Sequence, residues 1–375
     1  MTSVSFAMRR LALALAFAGL FVTGVSADDA APAADASPAP EPPKIDVTGF
    51  VDVYYTYNFN KTDPALRSFD VNHNAFSLSL AEIAFAKGVT TDSRVGFRAD
   101  LDFGKTADLV GAYEPEENGQ EIYKHVQQAY VSVLAGPKLQ LDFGKFVTPH
   151  GAEVIESQDN WNYSRSTLFG YAIPFYHTGV RAALPVNDKL SLTGFVVNGW
   201  NNSSEMFGSA PCLALSALVK PTSKVTWAAT IMTGQEVRDP ADNRTLFDTT
   251  LTVAATPKFS VMANFDYGKE GATSWRGIAG YAKYQAKPNW ALVGRYEYLD
   301  DTDFPPDGTP FMLIGQKAQT LTLTSDHLVA GGLKLRLEYR GDFTDSPFFT
   351  DDKGALKDSQ HAVTVGMVYA FGGKI

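Results

Sequence analysis

From Ile45 onward the chain repeats one pattern: about eight to twelve residues alternating apolar and polar, then a connection marked by Gly or Pro. A period of two sends alternate side chains to opposite faces of a β-strand. In 94–103, Val95, Phe97, Ala99, Leu101 and Phe103 share one face, and Arg94, Arg98, Asp100 and Asp102 share the other. In 333–340, Leu333, Leu335, Leu337 and Tyr339 oppose Lys334, Arg336, Glu338 and Arg340. Phe259, Val261, Ala263, Phe265 and Tyr267 likewise oppose Ser260, Asn264 and Asp266. A strand of about ten residues at roughly 3.3 Å each, tilted near 40°, spans about 25 Å, the height of an outer-membrane apolar band.

The pattern predicts sixteen strands, at approximately 45–59, 76–87, 93–103, 124–134, 139–147, 175–184, 190–200, 211–220, 224–233, 246–256, 258–268, 275–286, 290–300, 317–325, 332–341 and 360–371. Their connections alternate between short ones, such as Gly136-Pro137 and Asn187-Asp188, and long polar ones, such as 60–74, 104–123, 148–174, 301–316 and 342–359. Short periplasmic turns and long extracellular loops alternate in this way in outer-membrane barrels. Two segments depart from the pattern. In 76–87 the phase carrying Leu78 and Leu80 also carries Glu82, which predicts a bulge, and 211–220 is apolar on both faces.

A soluble β-sandwich alternates too, but several strands here carry rows of unlike charges on their polar phase, which a dry core desolvates only at high cost. Aromatics also gather at strand ends, among them Tyr55, Tyr57 and Phe59, Tyr296 and Tyr298, and Tyr369 and Phe371. Tyr favours the membrane interface, where one end of the ring is apolar and the other meets water. The expected fold is therefore all-β, a transmembrane antiparallel up-and-down β-barrel of about sixteen strands over 45–375.

What precedes the barrel reads differently. Arg9 and Arg10, the apolar run Leu11–Val22 and Val25-Ser26-Ala27 predict a secretory signal peptide over 1–27. Residues 28–44 are rich in Ala, Pro and acids and predict an extended linker. The mean hydropathy of −0.11 is what alternation produces, since lipid-facing and lumen-facing residues average out. The formal charge of −9 becomes −11 once Arg9 and Arg10 are removed with the signal, and an acidic chain without a basic block argues against nucleic acid. The single cysteine, Cys212, excludes an intramolecular disulfide and sits in no metal-ligand spacing.

Several stretches resemble the β-barrel porin family of the OmpL-like kind. They are Val47-Thr48-Gly49-Phe50-Val51-Asp52-Val53-Tyr54-Tyr55, Leu141-Asp142-Phe143-Gly144-Lys145-Phe146, Gly151-Ala152-Glu153, Asn162-Tyr163-Ser164-Arg165-Ser166, Gly179-Val180-Arg181 and Arg295-Tyr296-Glu297-Tyr298. The likeness runs from Val47 to Phe371 and departs from the usual pattern where Gly372-Gly373-Lys374-Ile375 follows the final aromatic. It implies an outer-membrane channel but not its cargo; the paired charges on the lumen phase predict passage of ions and small polar solutes, and the expected surroundings are lipid and lipopolysaccharide, with a homotrimer as one assembly.

Sixteen-stranded porins fold the loop at the position of 148–174 into the barrel, and this loop is expected to do the same, with an extracellular lid as the alternative. Here it carries Glu153, Glu156, Asp159 and Arg165, with Trp161, Tyr163, Phe169 and Tyr171 to pack it. The wall residues expected to line the pore are Arg94, Arg98, Arg181, Arg295, Lys334, Arg336 and Arg340. Selectivity is expected from Glu153, Glu156 and Asp159 facing Arg295, Lys334 and Arg336 across a narrow wet gap. The bland alternative pairs these charges with Glu297 and Glu338 to stiffen the wall. Six scattered histidines predict no metal site, and no cofactor is expected. His177 could serve a lipid hydrolase, but no Ser motif accompanies it, so the chain does not read as an enzyme. Asp300-Asp301-Thr302-Asp303 and Asp351-Asp352 read as solvated loop tips, with calcium as the sharper alternative. A plugged barrel acting as an adhesin or structural element is the competing function.

Overall fold

The computed structural model describes residues 44–112, 123–206, 208–236, 242–303 and 314–374. The signal peptide expected at 1–27 and nearly all of the linker expected at 28–44 lie outside the described residues. Alternation produces strands at Asp46–Asn58 (β1), Ala75–Lys87 (β2), Val95–Phe103 (β3), Val126–Ala135 (β4), Leu139–Val147 (β5), Tyr176–Asn187 (β6), Leu190–Val197 (β7) and Cys212–Thr222 (β8). It continues through Val225–Gly234 (β9), Arg244–Thr256 (β10), Phe259–Glu270 (β11), Thr273–Lys287 (β12), Trp290–Asp300 (β13), Lys317–Ala330 (β14) and Leu333–Thr344 (β15). A two-residue hairpin, Phe349–Thr350 (β16) and Leu356–Lys357 (β17), interrupts the last loop before Ser359–Lys374 (β18). Sixteen of these strands close into one antiparallel barrel, each beside its neighbour in sequence, with β18 sealing the ring against β1.

Local chemistry fixes the register. Between β14 and β15 the turn is Gly331-Gly332, and both residues have positive φ, the conformation a tight hairpin needs and only glycine adopts freely. The predicted irregularity in β2 is a bulge. Leu80 pairs with Asp52 and Leu78 with Val53, so Ser79 is the extra residue, and this switches phase so that Glu82 and Leu80 both face inward.

The two faces of the wall differ as a membrane barrel requires. Leu292, Leu321, Leu323, Leu337, Val363, Val365 and Met367 point outward and are exposed, an apolar belt suited to lipid. The largest packed cluster lies inside the ring instead. Phe50, Tyr54, Leu80, Trp275, Ala279, Tyr281, Leu299 and Val368 from the wall meet Tyr163, Leu168, Phe169, Ala172, Ile173 and Phe175 from 148–175. The long connection between β5 and β6 therefore enters the barrel.

Candidate functional site: the docked loop and the lumen wall

Loop 148–174 is short of regular structure, so its backbone groups need partners from the wall. It contains a 3-10 turn at Ser157–Asp159 and, after the Lys105–Gly111 helix (α1) of an earlier loop, a second helix at Thr167–Tyr171 (α2). Ser166 starts α2 by accepting a hydrogen bond from the Phe169 amide. Glycines in the wall make room for the loop's large side chains. A Cβ on Gly277 would lie 2.8 Å from Leu168, and one on Gly366 would strike the Tyr163 ring.

Arginines on β13 and β15 hold the loop by its carbonyls. Arg295 donates to Ser164 O at 2.6 Å and pairs with Glu153 at 2.8 Å and Glu297 at 2.7 Å. Arg336 donates to the carbonyls of Ser157, Asn160 and Asn162, and Lys334 to that of Gln158. Arg340 reaches Arg165 O and Leu66 O, each at 2.7 Å, and pairs with Asp342. Carboxylates hold the loop's donors. Glu338 accepts from the Tyr163 and Ser164 amides, Glu297 from the Thr167 amide, and Asp52 from Ser157 Oγ and Tyr163 OH. All three arginines are essentially fully buried.

This geometry differs from the expected wet gap. Glu153 does not face Arg295 across water but touches it, because a buried guanidinium needs a carboxylate within contact distance. Arg165 is turned into its own loop, where it donates to the carbonyls of Val154, Ile155 and Tyr163. Glu156 leaves the basic wall altogether and accepts from Gln127 on β4, and burial pushes its carboxyl above the usual carboxylate range. Asp159 stays exposed. Arg94 lies just before β3, its guanidinium on the Leu134 and Gly136 carbonyls at the end of the barrel. Arg98 and Arg181 do stand on the inward phase, paired with Asp100 and Asp142.

Sequence reasoning missed part of the assembly. The stretch 60–74 also folds inward: Arg67 pairs with Asp70 at 2.8 Å and approaches Asp342, and Phe69 packs on Phe169 and Phe175. Asp52 sits on the inward phase of β1 and was legible as a lone acid among Phe50 and Tyr54, but Arg67 carries no local signal.

The remaining candidates have partners of their own. Among the described residues, no three His, Cys, Asp or Glu side chains group to hold a metal. Asp301 accepts from the Ile314 and Gln316 amides, Asp300 from Arg276, and Asp351 from the Lys353 and Ala355 amides. His177 faces Thr148 and the Gly199 carbonyl rather than a serine.

Comparison places this geometry among known proteins. No curated protein sequence matches the chain. The anion-selective porin from Comamonas acidovorans superposes with a TM-score of 0.60 at 11% identity, covering 87% of this chain and 99% of that one. The outer membrane channel DcaP of Acinetobacter baumannii gives 0.57 at 15% identity, over 87% and 97%. In-vitro folded OmpT of Vibrio cholerae, described as a trimer form, gives 0.57 at 10%, over 87% and 99%. At such identities these neighbours speak for the fold. The family model "Putative beta-barrel porin-2, OmpL-like" matches residues 44–371, and the chain belongs to that family of outer-membrane barrel porins.

Proposed function

We propose that this porin forms a water-filled channel in the bacterial outer membrane, narrowed by loop 148–174, through which ions and small polar solutes diffuse. The observation that carries the reading is the one-sided docking of the loop. Its polar anchors are mainly on β1 and β13–β15, and its apolar ones add β12 and β18, while the inward arginines of β3 and β6 stay partly exposed. The passage then runs along the β3–β6 wall. Glu156, Asp159 and Lys334 border it on the loop side, with Arg98 and Arg181 opposite. Glu153, Arg165, Arg295, Arg336 and Arg340 act as anchors that fix its width.

The packing of two loops inside the ring also supports a plugged barrel acting as an adhesin or structural element. Liposome swelling separates the two readings. Vesicles containing the folded protein should swell in isotonic sugar, faster for small sugars than for large ones, and a plugged barrel gives no swelling with any of them. A homotrimer is the assembly we propose, in line with the trimer form described for the OmpT neighbour. Chemical crosslinking in detergent tests it, a ladder that stops at the monomer being the contrary result. Nothing in the packing of His177 supports turnover of a lipid ester, and we read the chain as a channel and not an enzyme.

A further inference from the structure

Arg295, Arg336 and Arg340 have spent their donors on the docked loops, but Arg98 and Arg181 have not. Arg98 and Arg181 each use Nε alone in the described hydrogen bonds. Arg98 Nε binds Asp100 at 2.8 and 3.0 Å, and Arg181 Nε binds Asp142 at 2.6 Å. Among the described residues their Nη edges have no hydrogen-bond partner, and they are not sealed off: the two side chains are 38% and 22% exposed, whereas the paired carboxylates are 0% and 1% exposed. A solute moving along this wall therefore meets guanidinium edges, with the acids behind them. From this we propose that the lumen wall between β3 and β6 holds an oxyanion subsite built on Arg98 and Arg181, so that solutes bearing a carboxylate or phosphate group are the ones it retains. The inference rests on the channel reading above and adds the class of cargo.

The arginines are held in place before any solute arrives. Arg181 lies between two rings, its Cζ 4.8 Å from the centroids of both Tyr130 and Phe146. Its partner Asp142 is itself fixed by Ser132 at 2.6 Å and Gln140 at 2.8 Å, and Asp100 is fixed by Gln128 at 2.5 Å. A guanidinium held through Nε, and in Arg181 also packed against two rings, loses little freedom when its other edge binds, and that planar edge matches the two oxygens of a carboxylate or phosphate. The register groups the pair. Arg98 is directly opposite Tyr130, whose other neighbour, Gly144 on β5, has no side chain to separate the ring from β6.

The surroundings limit the affinity. Glu82, Asp100, Asp102 and Asp142 are all at least nine-tenths buried behind the arginines, and Glu156 approaches from the loop. Their negative field opposes an anion, so retention is weak, which suits a passage that must release what it binds.

The test is single-channel current in potassium chloride with inorganic phosphate or succinate added, each titrated separately to distinguish the two oxyanions. Either anion should reduce the current of the native channel at millimolar concentration, while glycerol at the same concentration should not. R98Q combined with R181Q should raise the half-blocking concentration by about tenfold or more, the loss expected for charge-assisted pairs. R181K keeps a charge without the fork and provides a second reading if the double variant does not refold; at least about a threefold rise is expected. Arg276, which points outward and pairs with Asp300 at the rim, serves as a control, and R276Q should leave the block unchanged. A conducting native channel that ignores both anions, or equal block in native and variant proteins, overturns the subsite alone. A folded barrel that stays silent in potassium chloride overturns the channel reading and the subsite with it.

Discussion

At the scale of single residues, the interior of this barrel is governed by the cost of leaving a charge or a donor without a partner. Arg295 shows this most directly, since it is fully buried and divides its donors between Glu153, Glu297 and loop carbonyls. Glu153→Gln removes one of its two carboxylates and should destabilise loop docking by about 3 kcal/mol, the low end for a broken buried pair because Glu297 remains. Limited proteolysis of the folded barrel would show it as faster cleavage within 148–174, and cleavage at the native rate would contradict the assignment. The base of the same loop has a titratable weak point. His177 Nδ1 lies 2.8 Å from the Gly199 carbonyl and must donate to it, so Thr148 Oγ1 donates to His177 Nε2 and itself accepts from His150 Nδ1. His150 Nε2 is then buried without a partner. Burial, followed by the neighbouring His177, holds the His150 pKa well below its ordinary 6.5. A base whose folded pKa is depressed contributes stability above its unfolded value and loses it as pH falls from about 6.5 toward the folded value. Cleavage of the loop should therefore accelerate below about pH 6.5, and His150→Gln should flatten that dependence. A native protein whose loop is equally resistant from pH 7.5 to pH 5 would contradict the tautomer assignment.

At the scale of elements, strand phase was readable from sequence and loop placement was only partly so. A strand repeats every two residues, so 333–340 and 259–267 declare both faces locally, and even the fault in β2 announces itself where Leu80 and Glu82 share a phase. Docking depends on contacts between positions far apart in the chain. Arg340 meets the Leu66 carbonyl of the inward-folded stretch 60–74, and Arg67 approaches Asp342, with no periodicity linking them. Charge type alone could not tell a pair in contact from a pair facing across water, and burial decided it for Glu153 and Arg295. The sockets make a further prediction. Gly366→Ala would place a methyl against the Tyr163 ring, and Tyr163 also bonds Asp52. The substitution should loosen the loop, seen as a larger or noisier single-channel current. Gly280→Ala, on the outer face with nothing within 4 Å, should leave the current unchanged. Equal currents from the two variants would mean that Tyr163 does not set the position of the loop.

At the scale of the whole molecule, the barrel answers two solvents at once. The outward belt of Leu292, Leu323, Leu337 and Val365 meets lipid, and on the inward phase Arg295, Arg336 and Arg340 find partners in loops 60–74 and 148–174. Closing the ring leaves no strand edge unpaired, so β18 must meet β1, and it does so from Ala362–Asn58 through to Lys374–Asp46. What remains on the β3–β6 wall is an inward surface with partly exposed arginines, and we propose that solutes travel on that side. The measurement that bears on it most directly is the conductance of the purified, folded protein in planar lipid bilayers, with folding checked by the heat-dependent shift of the barrel in gel electrophoresis. Discrete, stepwise current increments are expected as single channels insert. A protein shown to be folded and inserted that gives no steps would contradict the channel reading.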